Sequence, residues 1–169
     1  MQRRLLTTAA LSAAILPMIQ SAQAQSRGTD STGRELALAA GAFAMQTSRL
    51  AQSRGQAPGV KQFAELEAEE QAAFMEALRL VGVDIPTEVP LDPQKAEMMR
   101  RLRGAQGEEF DRTYLAAQLT GHRELLQIHG RLAGGSAGTS QERALSTVAV
   151  PSIKTHIVIL ERLNENPRG

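Results

Sequence analysis

Apolar residues recur along this chain at helical spacing in four long stretches, and no stretch shows the strict alternation of a strand. In the first, Leu36, Ala39, Ala40, Phe43, Thr47 and Leu50 share a face. The preceding Thr32-Gly33-Arg34-Glu35 matches a capping box, so the pattern predicts helix one over about 33–53. "RGQAPG" is a turn, and Pro58 suits the first turn of helix two. There the stripe reads Val60, Phe63, Leu66, Glu70, Phe74, Leu78 and Val81, which places Glu70 inward. Helix three is expected from about Glu108 to Ala133. A second capping box at Thr139-Ser140-Gln141-Glu142 opens helix four, expected over about 140–163 with a kink at Pro151.

The connections carry topology. Helices one and two, and helices three and four, are joined by short turns and should form antiparallel hairpins. Residues 82–107 are long, proline-rich and without helical period until Asp92-Pro93, which reads as the cap and first turn of a short helix over about 93–103. A segment of that length can climb the full height of the molecule, making helices two and three parallel. The expectation is an all-α, ferritin-like four-helix bundle with a long crossover between helices two and three, over residues 33–164.

The first 24 residues fall outside that pattern. Arg3 and Arg4 precede the apolar run "LLTTAALSAAILPMI", and Ala22-Gln23-Ala24 matches a signal peptidase site. The run is too short to span a bilayer, so residues 1–24 are expected to be a cleaved export signal. Residues 25–32 then form a polar tail and 165–169 a C-terminal one. The chain has 19 basic and 18 acidic residues, and removing Arg3 and Arg4 leaves the mature protein close to neutral. No strong field recruits nucleic acid, and no second apolar run suggests a transmembrane segment. There is no cysteine, so helix packing rather than disulfides must hold an exported chain. The expected location is the periplasm.

Candidate chemistry lies on one face of helix three, where Asp111, Gln118, His122 and His129 fall within about 20° of a line. Asp111 and His122 are about 16 Å apart along the axis, and His122 and His129 about 10 Å, so no single ion joins them on that helix. Any site must form between helices. With helices two and three parallel, Glu70 stands level with His122, and the last hairpin brings His156 to the same height. The candidate ligands for a divalent metal ion are therefore Glu70, His122 and His156, with Gln71 and Gln118 as outer partners. The alternative is a hydrogen-bonded cluster that sets the register of the bundle. No Glu-x-x-His and no His-Glu-x-x-His occurs, which argues against a standard di-iron oxidase or a zinc protease. Asp111 reads as a first-turn acid with Arg112 and Tyr114 as surface neighbours, and His129 as a cation near a helix C-terminus. No nucleophile elbow or phosphate loop appears, which points away from an enzyme.

"FDRTYLAAQLTGH", followed by "VPSIKTH", resembles domain-of-unknown-function family 4142, small exported bacterial proteins described as predicted outer membrane proteins. The resemblance covers roughly residues 34–164 and is carried by Phe110, Asp111, Arg112, Tyr114, Gln118, His122, Pro151 and His156. It implies a ferritin-like fold. It also implies a stress-linked, non-catalytic envelope role, with an envelope protein or small ligand as partner and peripheral association with the outer membrane. Members usually carry an acid followed by His in helix two and a glutamate within helix one. This chain has Glu70-Gln71, and Ala44 and Gln46, which implies weakened metal binding if the family binds a metal.

Overall fold

A computed structural model describes the backbone of residues 18–135 and 138–166, with side chains from residue 33 onward. Residues 1–17, most of the expected export signal, and the last three of the C-terminal tail lie outside the described residues. Five helices follow in order: α1 (Met18–Arg54), α2 (Pro58–Leu80), α3 (Pro93–Gly104), α4 (Gly107–Gly134) and α5 (Ser140–Glu165). There is no strand among the described residues. α1 starts well before the expected Gly33, so Thr32 to Glu35 lie inside a helix rather than at its cap.

The other boundaries follow their local signals. Asp92 accepts from the Lys95 backbone N–H and starts α3 with Pro93 at its first turn. At α5 the Thr139 hydroxyl accepts from the Glu142 N–H while the Glu142 carboxylate accepts from the Thr139 N–H, a complete capping box. Gly82, at φ +86°, closes α2: its N–H bonds the Arg79 carbonyl, the Val83 N–H bonds that of Leu78, and Val83 packs on Leu78. Pro151 lies on the exposed side of α5, which continues through it.

Cross-helix pairs give the topology. Ser48 meets Tyr114 and Phe43 faces Gly121, so α1 and α4 are antiparallel. His129 meets Ser146 and Arg123 meets Glu161, so α4 and α5 are antiparallel. Phe63 lies against Tyr114 and Phe74 against His129, so α2 runs parallel to α4, diagonally across the bundle. The crossover does climb the molecule's height, with α3 lying against α1 and α4. Buried Lys95 anchors it by pairing with Asp92 and with Glu124 of α4. The result is a four-helix bundle of α1, α2, α4 and α5 around a layered core.

One apolar layer, with Val60, Phe63, Phe110, Tyr114, Leu115 and Leu160, fills the end near the α1–α2 turn. Two others, around Leu125, Ile128 and Ile153 and around Leu38, Leu78 and Val83, fill the opposite end. Polar side chains occupy the height between them. α5 also differs from one expectation: it reaches the length and mean hydropathy of a membrane-crossing helix. Lys154 and His156 interrupt its apolar residues. Its Ile153, Leu160 and Leu163 are buried in the bundle.

Candidate metal centre in the bundle core

The inward face of α2 is Val60, Phe63, Ala64, Glu67, Ala68, Gln71, Met75 and Leu78. Val60, Phe63 and Leu78 are where the stripe put them, but between them Glu67, Gln71 and Met75 are buried in place of Leu66, Glu70 and Phe74. Leu66 is 57% exposed, and Glu70 stands at the rim with its side chain 43% exposed. The acid that enters the core is Glu67, fully buried. The small residues Ala64 and Ala68 are buried on the same face.

Glu67 meets both imidazoles singled out in the sequence. Its Oε2 lies 2.9 Å from His156 Nδ1 and 3.2 Å from His122 Nε2, and those two nitrogens are 3.3 Å apart. Its other oxygen, Oε1, accepts from the Gln71 amide at 3.0 Å. Gln71 in turn lies against Gly41 of α1, where a Cβ would stand 2.8 Å from the Gln71 carbonyl oxygen. Phe63 packs against both rings, edge-on to His156 at 5.5 Å and tilted to His122 at 6.0 Å, and covers the apolar side of the cluster.

The outer nitrogen of each ring faces an acceptor. His122 Nδ1 lies 2.9 Å from the Gln118 backbone carbonyl, which can only accept, so Nδ1 carries a hydrogen. In the neutral ring Nε2 then presents a lone pair to the cluster. His156 Nε2 faces Glu70 Oε2 at 3.4 Å. Burial raises the Glu67 carboxyl, but the hydrogen bonds and charge of the two imidazoles outweigh it and hold the group down at about 2. For His156 burial pushes the pKa down, and the hydrogen bond its ring can donate to Glu67, with the charges of Glu67 and Glu70, overrides that and raises it. A carboxylate oxygen and two ring nitrogens thus converge on one point, where only a cation or a proton relieves their mutual repulsion.

The remaining sequence candidates sit elsewhere. The Gln118 side chain turns to α1, where its Nε2 lies within hydrogen-bond distance of the Ala44 carbonyl, Thr47 Oγ1 and Ser48 Oγ, while its own Oε1 is the one buried side-chain polar atom without a partner among the described residues. Tyr114 is buried and bonds Ser48. Asp111 is a cap for a different helix: its carboxylate accepts from the Gln56 and Ala57 N–H groups ahead of α2. Arg112 stays on the surface near Glu108, and Phe110 is buried beneath the Arg54 guanidinium. The surface network expected around Asp111 is therefore absent, because Asp111 reaches across to the neighbouring helix. His129 is buried against Ser146 and Phe74 with no carboxylate bonded to it among the described residues, and burial lowers its pKa to about 4, so it is no C-terminal cation.

Helices and site together define an all-α bundle with a buried carboxylate and two imidazoles at its centre. The chain belongs to the family Domain of unknown function (DUF4142), whose model matches residues 16–163. No curated protein and no solved structure matches it.

Proposed function

We propose that this chain is an exported, non-catalytic ferritin-like bundle of the bacterial envelope that binds one divalent transition-metal ion through Glu67, His122 and His156. One observation carries the reading. His122 donates Nδ1–H to a backbone carbonyl, which turns Nε2 inward as a lone pair toward a carboxylate and a second ring nitrogen. Metal-bound histidines have this arrangement, with the outer nitrogen held by an acceptor.

The dimensions support it. Ligand atoms around a tetrahedral zinc ion with bonds of about 2.0–2.1 Å stand about 3.3 Å apart. The three edges here, 2.9, 3.2 and 3.3 Å, are close to one face of that tetrahedron. Two imidazoles and one carboxylate suit zinc and its first-row neighbours rather than magnesium or calcium, which prefer all-oxygen shells. The leader-like segment at residues 1–24 supports export to the periplasm. By family resemblance the role is envelope- or stress-related.

The test is elemental analysis of tag-free mature protein after equilibration with zinc and removal of free metal. One zinc per chain is expected, with none retained by the His122→Ala/His156→Ala double variant. A metal-free wild type whose melting is unaffected by zinc or by chelator would leave a proton-bridged cluster that serves only packing.

A further inference from the structure

The three cluster side chains are not equally hidden. Glu67 and His122 are 0% and 1% exposed, while the His156 side chain is 14% exposed at the seam between α2 and α5. Of the neighbouring helix pairs around the bundle, α2 and α5 pack least closely. At that seam Glu70 stands in front of His156, with Oε2 3.4 Å from His156 Nε2. Its Oε1 accepts from Ser152 Oγ at 2.7 Å. Glu67 and Glu70 lie three residues apart on one side of the seam, and Ser152 and His156 four apart on the other, so each pair shares a face of its helix. Carboxylate, imidazole and carboxylate therefore form a line from solvent to the buried triangle.

Resting on the metal-binding reading above, we propose that Glu70, braced by Ser152, is the positioning and entry residue of the site. Two consequences follow from its place. With the Glu70 carboxylate 3.4 Å from Nε2, the charge outside the His156 ring favours Nδ1 facing inward, and outer partners of this kind set metal affinity. Glu70 is also the cluster-linked carboxylate most open to water, so an arriving dication meets it before His156, and its charge draws the ion to the one partly exposed imidazole. Ser152 fixes the direction of Glu70 without adding charge. The Glu70 side chain is half in solvent and caps nothing, so changing it leaves the folded bundle intact.

Zinc alone is the probe, with equilibrium affinity by competition against a chromogenic chelator and association by stopped flow. Glu70→Gln is expected to weaken affinity about 10- to 100-fold. It should also slow association and flatten its dependence on salt, while the metal-free melting temperature stays within about 2 °C of wild type. Glu70→Asp should restore most of the association rate, since the charge returns, and Ser152→Ala should lose less than Glu70→Gln. A wild type that binds one zinc, beside a Glu70→Gln protein with the same affinity and rates, overturns this proposal and leaves the metal site standing. A wild type that takes up no zinc overturns the metal site, and this proposal with it.

Discussion

His122 and His129 lie on the same stripe of α4, two turns apart, and both are buried. Their surroundings differ. His129 has one hydroxyl, Ser146 Oγ at 3.1 Å, and an aromatic edge, Phe74, at 5.2 Å. Nothing there compensates a positive charge, and the ring is held neutral. His122 has a backbone carbonyl behind it and, in front, a carboxylate and a second imidazole. The first arrangement is complete as it stands. The second needs a proton or a cation between its atoms, and that need separates a packing histidine from a candidate ligand when both occupy the same face of one helix.

The largest effect should come from unbalancing the His122 region. Glu67→Leu leaves two buried imidazoles and the Gln71 amide without their acceptor, and is expected to lower unfolding free energy by about 3–5 kcal/mol in urea titrations. Replacing all three of Glu67, His122 and His156 by leucine should instead be neutral or stabilising in the metal-free state, because no charge remains buried. If the triple variant is as unstable as the single one, the cluster is architectural and the contrast with His129 disappears.

Next comes pH at the His129 region. Its folded pKa, about 4, lies below the ordinary imidazole value of 6.5. Between these values the unfolded chain binds a proton that the folded chain does not, so stability is complete above about pH 6.5 and falls as pH drops toward 4. The shift corresponds to roughly 3 kcal/mol. His129→Leu should remove this component of acid sensitivity, read from melting temperatures at pH 7 and pH 4.5. An unchanged pH profile in that variant would show that the buried ring is not the source.

The smallest of the three effects belongs to Asp111, also on the α4 stripe. Asp111→Ala frees the Gln56 and Ala57 N–H groups ahead of α2 and should cost about 1–2 kcal/mol, with zinc uptake unaffected. Loss of zinc stoichiometry in this variant would mean that the end of the stripe and its middle act together.

Much of the fold was legible because its signals are local. Asp92-Pro93, the Thr139–Glu142 box, Gly82 and the turn before Pro58 each mark a helix end with a few adjacent residues. The crossover was legible from its length and prolines. His122 and His156 stood out because imidazoles are conspicuous among Leu125, Ile153 and Ile157. Glu67 did not stand out. Ranking positions by hydrophobicity puts Leu66 inward and carries Glu70 with it on the same stripe, leaving Glu67 beside the stripe rather than on it. Its partners come from α4 and α5, 55 and 89 positions further along the chain. The Asp111 cap was hidden for the same reason, as its acceptor role crosses from one helix to the start of another.

By itself the amino-acid sequence determined the helices, the two hairpins, the rising crossover and the polar height at which two histidines would meet. These depend on periodicity, capping and chain length, which act within a turn or two of the backbone. Only the tertiary structure decided which carboxylate meets the histidines and how each imidazole is turned. A shift of one residue along the middle of α2 puts Glu67 where Leu66 was expected and Gln71 where Glu70 was, and that choice is a balance of packing between helices that no single helix contains.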